Sequence, residues 1–121
     1  MVGSVFGEKK NKLMSESLFV ALPSRHESFC LFALEGLAAG LPLAAFDIPG
    51  LGWISPKAII KARAFSIDEY AELLAKASKD ENLINTMGYE ARRFAQGFTW
   101  DKTVDNLERF FIKVLTMEGK L

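Results

Sequence analysis

The sequence predicts an α/β fold, a parallel sheet with helices on both faces, and three observations carry that expectation. Two short runs, Leu18–Leu22 and Leu41–Phe46, are apolar without polar alternation, the mark of strands buried on both faces. Segments with apolar residues at helical spacing lie between and after these runs. The links are short and carry Pro or Gly, as in Pro23-Ser24, Gly40-Leu41-Pro42 and Pro49-Gly50. Buried strands that alternate with helices through short links leave one economical arrangement, a parallel sheet covered on both sides.

The elements follow in order. Ser4–Phe6 is read as a short strand and Lys9–Ser17 as a helix with a solvated basic face at Lys9, Lys10 and Lys12. Leu18–Leu22 is the first buried strand, ended by Pro23. A helix from about Phe29 to Ala39 stops at Gly40, and Leu41–Phe46 is the second buried strand. After the Pro49-Gly50 turn, Ala58-Ile59-Ile60 forms a third. Ser66-Ile67-Asp68-Glu69 has the form of a capping box, with Ile67, Tyr70, Ala71, Leu74 and Ala75 at helical spacing behind it. Asn82–Gln96 reads as another helix. The last begins at Thr99, with Trp100, Val104, Leu107, Phe111 and Val114 spaced four, three, four, three, and its aromatic residues are expected in the core.

Composition bounds the function. The chain has 121 residues, half hydrophobic and a quarter charged, the size of one globular domain. Fifteen Lys plus Arg balance fifteen Asp plus Glu, so a basic nucleic-acid surface is not expected. One cysteine, Cys30, excludes an internal disulfide and fits a reducing, cytoplasmic compartment; with the single His26 it cannot form a Cys/His zinc site, and no metal site is expected. No signal peptide is evident. Residues 28–46 hold one charge, Glu35, but Gly36, Gly40 and Pro42 interrupt them, so no membrane span is expected.

The informative stretch is Pro23-Ser24-Arg25-His26-Glu27-Ser28-Phe29-Cys30-Leu31, continuing to Glu35 and Gly40. It leaves the carboxyl end of a buried strand and enters a helix, the crevice where open α/β sheets bind ligands. A helix start there offers unpaired N–H groups at roughly residues 28–31 and a positive dipole end, which together suit a phosphate. Glu35 stands among Phe, Leu, Ala, Cys and Gly, where an unpaired buried carboxylate costs several kcal/mol. It therefore faces a polar cleft or has a partner. Glu27 lies eight residues earlier; were the helix to extend that far, the two would sit about 80° apart and line one cleft. Two carboxylates flanking a phosphate site suggest a phosphorylated, hydroxyl-rich ligand such as a nucleotide sugar.

At these residues the chain resembles the retaining glycosyltransferases of family 4, also called group 1 glycosyltransferases. Their donor-binding half carries Pro-Ser, then Glu-Ser-Phe-Gly, then a second Glu in Leu-Glu-Ala-Met-Ala-x-Gly-x-Pro. Here stand Pro23-Ser24, Glu27-Ser28-Phe29-Cys30 and Leu34-Glu35-Gly36-Leu37-Ala38-Ala39-Gly40-Leu41-Pro42. Asp47-Ile48-Pro49-Gly50-Leu51 is similar to the family's Ile-Pro-Gly turn, and Phe98-Thr99-Trp100-Asp101 to its Phe-Ser-Trp-Asp before the last helix. The ordered set of four is specific where Glu-x7-Glu alone is not.

The resemblance implies a partial C-terminal half of a GT-B fold, Rossmann-like, in an enzyme whose active site lies between two such halves. It implies that Glu27 contacts hydroxyls of the transferred sugar near the reacting carbon and that Glu35 binds the ribose hydroxyls of the donor. It also implies that the backbone of the segment from Ser28, at Phe29, Cys30 and Leu31, holds sugar and diphosphate oxygens. It further implies transfer with retention and without a metal or cofactor, the nucleotide diphosphate sugar being a substrate. Cys30 departs from the pattern, since the family has Gly there. The first strands of this half, with the family's diphosphate-binding Arg and Lys, and the acceptor half are not in the chain. The chain alone is therefore expected to be inactive, with the missing part supplied in cis or in trans and any placement at an inner membrane surface arising through that half. In the family's strand order 3-2-1-4-5-6 the chain has strand 3 and strands 4 to 6, which leaves Leu18–Leu22 as an exposed edge for a second copy or another chain.

Plainer readings stand beside these. Glu35 can be a structurally paired helix residue and Glu27 a surface residue. His26 is read as solvent-facing, a Ser24/His26/Asp47 triad lacks a nucleophile-elbow motif, and Gly50-Leu51-Gly52 is a turn instead of a dinucleotide fingerprint. Cys30 is read as an inert buried thiol, and Trp100, Phe110 and Phe111 as core. The alternative function is a non-catalytic nucleotide-binding or protein-interaction domain that keeps the fold.

Overall fold

A computed structural model describes residues 3–119. Its elements are α1 (Gly7–Ser15), β1 (Val20–Leu22), α2 (Leu31–Ala38), β2 (Leu43–Phe46), β3 (Ile59–Ala62), α3 (Ile67–Ala77), α4 (Glu81–Ala95) and α5 (Trp100–Met117). The three strands form one parallel sheet in the order β1-β2-β3, with Val20 opposite Leu43 and Leu43 opposite Ile59. The α/β class and the parallel sheet are as the sequence predicts.

The two faces follow from the pleat. Side chains alternate along a strand, so Val20, Leu43 and Ile59, which are in register, point one way and Phe46 the other. On the Val20 face lies α2, so close that a Cβ on Gly36 would come within 2.6 Å of Val20 Cγ2. On the opposite face lies α3, with the Tyr70 ring 5.0 Å from that of Phe46 and its hydroxyl donating to the Ala44 carbonyl at 2.9 Å. Leu37, Leu43, Leu51 and Pro42 are wholly enclosed and form the centre of the core.

Against α2 packs α4. A Cβ on Gly88 would come 2.5 Å from the Gly40 carbonyl oxygen, so the α2–α4 crossing requires hydrogen at that position. Gly40 itself has φ +83°, the left-handed conformation that ends α2, and Arg92 of α4 donates to the neighbouring Ala39 carbonyl at 3.1 Å. Helix starts are capped: Ser66, as the sequence indicates, and also Asp80 and Thr99 accept through their side chains from the amides of Glu69, Leu83 and Lys102. The Ser66 box is half formed, because Glu69 reaches past the cap to accept from the Arg63 amide at 3.0 Å and pair with its guanidinium.

Three expectations are corrected. Ser4–Phe6 is not a strand; Phe6 is extended (φ −137°, ψ 166°) but no described segment pairs with it, and extended backbone without a ladder is not a sheet member. Leu18–Leu22 is not buried on both faces: pairing begins at Val20, Ala21 is exposed, and Leu18 is 55% exposed. The cause is its place at the edge of the sheet, which the strand-order argument anticipates. The apolar stripe of α5 is not core; among the described residues no α5 side chain is buried, and Trp100, Phe110 and Phe111 are all exposed. The helix starts on its Thr99 cap, and the described residues cover its apolar stripe only in part.

The Tyr70 hydroxyl gives a test of the α3 face. Burial pushes its pKa above the ordinary value, with the Leu22 amide pulling the other way. Its contribution to stability is therefore complete below the ordinary tyrosine value near pH 10 and fades as pH rises through the higher folded value. Tyr70→Phe should cost about 1 kcal/mol at neutral pH and should flatten the loss of stability on the alkaline side. Urea unfolding from pH 7 to 11 measures both, and an unchanged alkaline limb means that another group controls it.

Candidate functional site

The site is built by the connection from β1 to α2. After Leu22 the chain leaves the carboxyl end of the sheet at Pro23, runs through Ser24 to Cys30, and turns into α2 at Leu31. Glu27 is half-buried in this loop. Its main chain rests on the turn after β2: a Cβ on Gly50 would overlap the Glu27 carbonyl. The Pro49–Leu51 turn, a single 3-10 turn with Pro at its first position, thus sets where Glu27 can stand. Helix α2 does not extend back to Glu27, so the angular relation between the two carboxylates does not hold, and Glu27 is placed by Gly50 instead.

Beyond Glu27 the loop is pinned by aromatic rings. Phe29 stacks on Trp53 at 4.3 Å and 20°, and Phe94 and Phe98 close round Trp53 at 6.1 and 5.3 Å. Trp53 Nε1 is buried without a hydrogen-bond partner among the described residues. Among the described residues the backbone amides of Ser28, Phe29, Cys30 and Leu31 make no hydrogen bond, whereas the Cys30 carbonyl accepts from Ala33 at 3.0 Å and Leu34 at 3.3 Å. Four consecutive unpaired donors at the positive end of a helix are an anion site in waiting.

Cys30 is the N-cap of α2 and has φ +64°, ψ 80°, a left-handed conformation. A side chain there costs about 1–2 kcal/mol relative to a right-handed residue, which is the physical reason the similar motif has Gly at this place. Burial pushes the Cys30 thiol above its ordinary value. The amides of Ala33 and Phe32 oppose the rise, and the Glu27 carboxylate beside the thiol adds to it by its charge and a hydrogen bond. The thiol is thus held protonated against Glu27, in keeping with an inert cysteine.

Glu35 has the partner that the sequence calls for: it is exposed on α2, and its Oε1 accepts from Lys10 Nζ of α1 at 2.8 Å. It sits four residues after Leu31, on the same helix face, and both side chains are open to solvent. Lys10 is correspondingly more than a solvated lysine. A groove of about 440 Å³ runs between the two helices, lined by Lys10, Asn11, Met14, Ser15, Glu35 and Ala38 among others.

The remaining candidates are dispersed. His26 is exposed. Asp47 pairs with Lys61 at 2.9 Å and no hydrogen bond links it to Ser24 or His26, so no triad forms. Arg25 stacks over the Phe65 ring at 4.9 Å. No cluster of three or more His, Cys, Asp or Glu that could hold a metal ion occurs among the described residues, and no described helix is long and apolar enough to cross a membrane. Sequence reasoning missed Gly50, Trp53 and Lys10 as determinants of the site. The Pro49-Gly50 pair carried a signal for the first; nothing in spacing joins Lys10 to Glu35, 25 residues away.

The family described as "Glycosyl transferases group 1" matches residues 1–94. A D-inositol 3-phosphate glycosyltransferase of Jonesia denitrificans is 37% identical over 91 residues, 74% of this chain and 22% of that protein. The D-inositol 3-phosphate glycosyltransferase of Gordonia bronchialis is 35% identical over 91 residues, 74% of this chain and 20% of its own length. An uncharacterized glycosyltransferase of Methanocaldococcus jannaschii is 28% identical over 100 residues, 81% of this chain and 28% of its own length. The chain spans about a fifth of the length of the first two relatives. The match covers the strands, the loop and both carboxylates: the chain belongs to the group 1 glycosyltransferases.

Proposed function

We propose that residues 23–39 form the donor site of a retaining, metal-independent glycosyltransferase, binding a nucleotide diphosphate sugar. The observation that carries the reading is the run of unpaired amides from Ser28 to Leu31 at the start of α2, beside Glu27 and one helical turn from Glu35. The amides of Phe29, Cys30 and Leu31 hold diphosphate and sugar oxygens and stabilise the negative charge that grows on the leaving group. Glu27, placed by Gly50, accepts hydrogen bonds from the transferred sugar and lies near the positive charge of an oxocarbenium-like transition state. Glu35 accepts from the ribose hydroxyls.

The donor site alone does not transfer sugar. The open edge of β1 and the uncovered face of α5 are surfaces that further protein covers, in cis, in trans or as a second copy. The same surfaces favour the second reading, a domain that keeps the fold to bind a nucleotide or a partner without catalysis. Calorimetric titration with nucleoside diphosphates and nucleotide sugars separates the two when coupled to an assay of sugar transfer in the presence of the acceptor half of a relative. Binding with transfer supports the enzyme, and binding without it supports the second reading.

Three variants sharpen the test. Glu35→Gln should weaken nucleoside diphosphate binding about tenfold or more, the worth of a hydrogen bond to a charged group, with little change in melting temperature because the residue is exposed. A large thermal effect with unaltered affinity makes it structural. Gly50→Ala should move the Glu27 loop at a cost of about 1–3 kcal/mol and should weaken the nucleotide sugar more than the bare diphosphate, since Glu27 serves the sugar. Equal losses for both ligands contradict that division. Cys30→Gly should relieve the left-handed strain and raise stability by about 1 kcal/mol, read by thermal unfolding, with diphosphate affinity kept or improved.

A further inference from the structure

We infer that Lys10 is a positioning residue for the nucleoside end of the donor, fixing the Glu35 carboxylate in the groove between α1 and α2. The inference rests on the reading of Glu35 as the ribose-binding carboxylate and adds a residue from another element to that site.

The Lys10–Glu35 contact, at 2.8 Å, is the shortest ion pair among the described residues and bridges two helices 25 residues apart in sequence. The Lys10 side chain keeps 28% of its exposure and that of Glu35 48%, so the lysine is the more enclosed partner and the carboxylate reaches solvent beyond it. Helix α1 contributes no buried residue, and only Met14 and Leu13 on it are partly covered apart from Lys10. The pair is thus one of few ties that hold α1 against α2, and it stands in the wall of the groove.

The ammonium occupies Oε1 alone. Oε2 has no partner among the described residues and is free to accept a hydroxyl. An ionised carboxylate only accepts hydrogen bonds, so one oxygen held by Lys10 leaves the other for a donor such as a ribose hydroxyl. A free glutamate on a helix surface samples many rotamers and loses that freedom on binding a ligand. Lys10 has already removed it. The lysine therefore acts through Glu35, not on the phosphates.

The test uses this chain with uridine, guanosine and adenosine 5′-diphosphates and the 2′,3′-dideoxy counterpart of whichever binds. Lys10→Met should weaken the ribonucleotide about two- to fivefold, the range of an exposed ion pair, and leave the dideoxynucleotide unchanged. Lys10→Arg should restore most of the loss, and Lys10→Met combined with Glu35→Gln should bind like Glu35→Gln alone. Unchanged or tighter ribonucleotide binding in Lys10→Met overturns the inference, because the pair then does nothing for the ribose or competes with it. Equal weakening of both nucleotides overturns it too, since it reports plain attraction of an anion. If the wild-type chain binds none of the diphosphates, the donor reading itself fails, an outcome distinct from the others.

Discussion

Two parallel strands cannot be joined by a hairpin, and that constraint organises the rest of this structure. To bring Leu43 beside Val20 in the same direction, the chain must leave the carboxyl end of β1, cross the sheet and return. Helix α2 is that crossover, and its amino end must lie at the carboxyl edge of the sheet. The first turn of any helix has amides without partners. Here the loop from Ser24 to Cys30 supplies none, because its own main chain is committed to Gly50 and its rings to Trp53. The donors from Ser28 to Leu31 are a consequence of topology, and Glu27 stands beside them because the next crossover, through Pro49–Leu51, starts at the same edge.

The same topology explains what the chain leaves uncovered. β2 is paired on both sides and all four of its residues are buried; β1 is paired on one side and only Val20 is. An unpaired strand with Leu18 open to solvent is a template for another strand. Helix α5 repeats the problem in helical form, with apolar residues exposed along its length. Both surfaces have the composition of interior, and the relatives are several times longer than this chain. A stripe of Trp, Val, Leu and Phe at four-three spacing is a sound sign of amphipathicity; it does not say which surface lies opposite.

That distinction sets what could be read from the sequence. Fold class, strand identity and most helix boundaries were legible because burial and capping are local: Ser66, Asp80 and Thr99 stop or start helices by contacts within four residues. Ser4–Phe6 misled because an extended segment becomes a strand only with a partner, and partners are not local. In the candidate site, the loop and the helix start were readable. The exposure of Glu35 was not, since it depends on which face of α2 turns away from the sheet, and its neighbours in sequence are apolar. Its partner was hidden in a cluster of lysines that looked alike, of which Lys10 is the one turned towards α2. Gly50 showed itself as a turn residue, yet its role is a tertiary contact with Glu27.

Charge shows why the donor reading and the dependence on further protein belong together. A nucleoside diphosphate brings more than one negative charge, whereas a helix start offers the equivalent of roughly half a positive one. Several cations of the described residues are already engaged. Arg25 lies on the Phe65 ring, Lys61 on Asp47, Arg63 on Glu69, Arg92 on the Ala39 carbonyl and Lys10 on Glu35. Releasing any of them to reach a phosphate would break an existing contact. Amides and dipole can orient a diphosphate but cannot neutralise it, and the departing group in sugar transfer carries more charge than the bound donor. On the donor reading, the remaining positive charge would come from outside the loop.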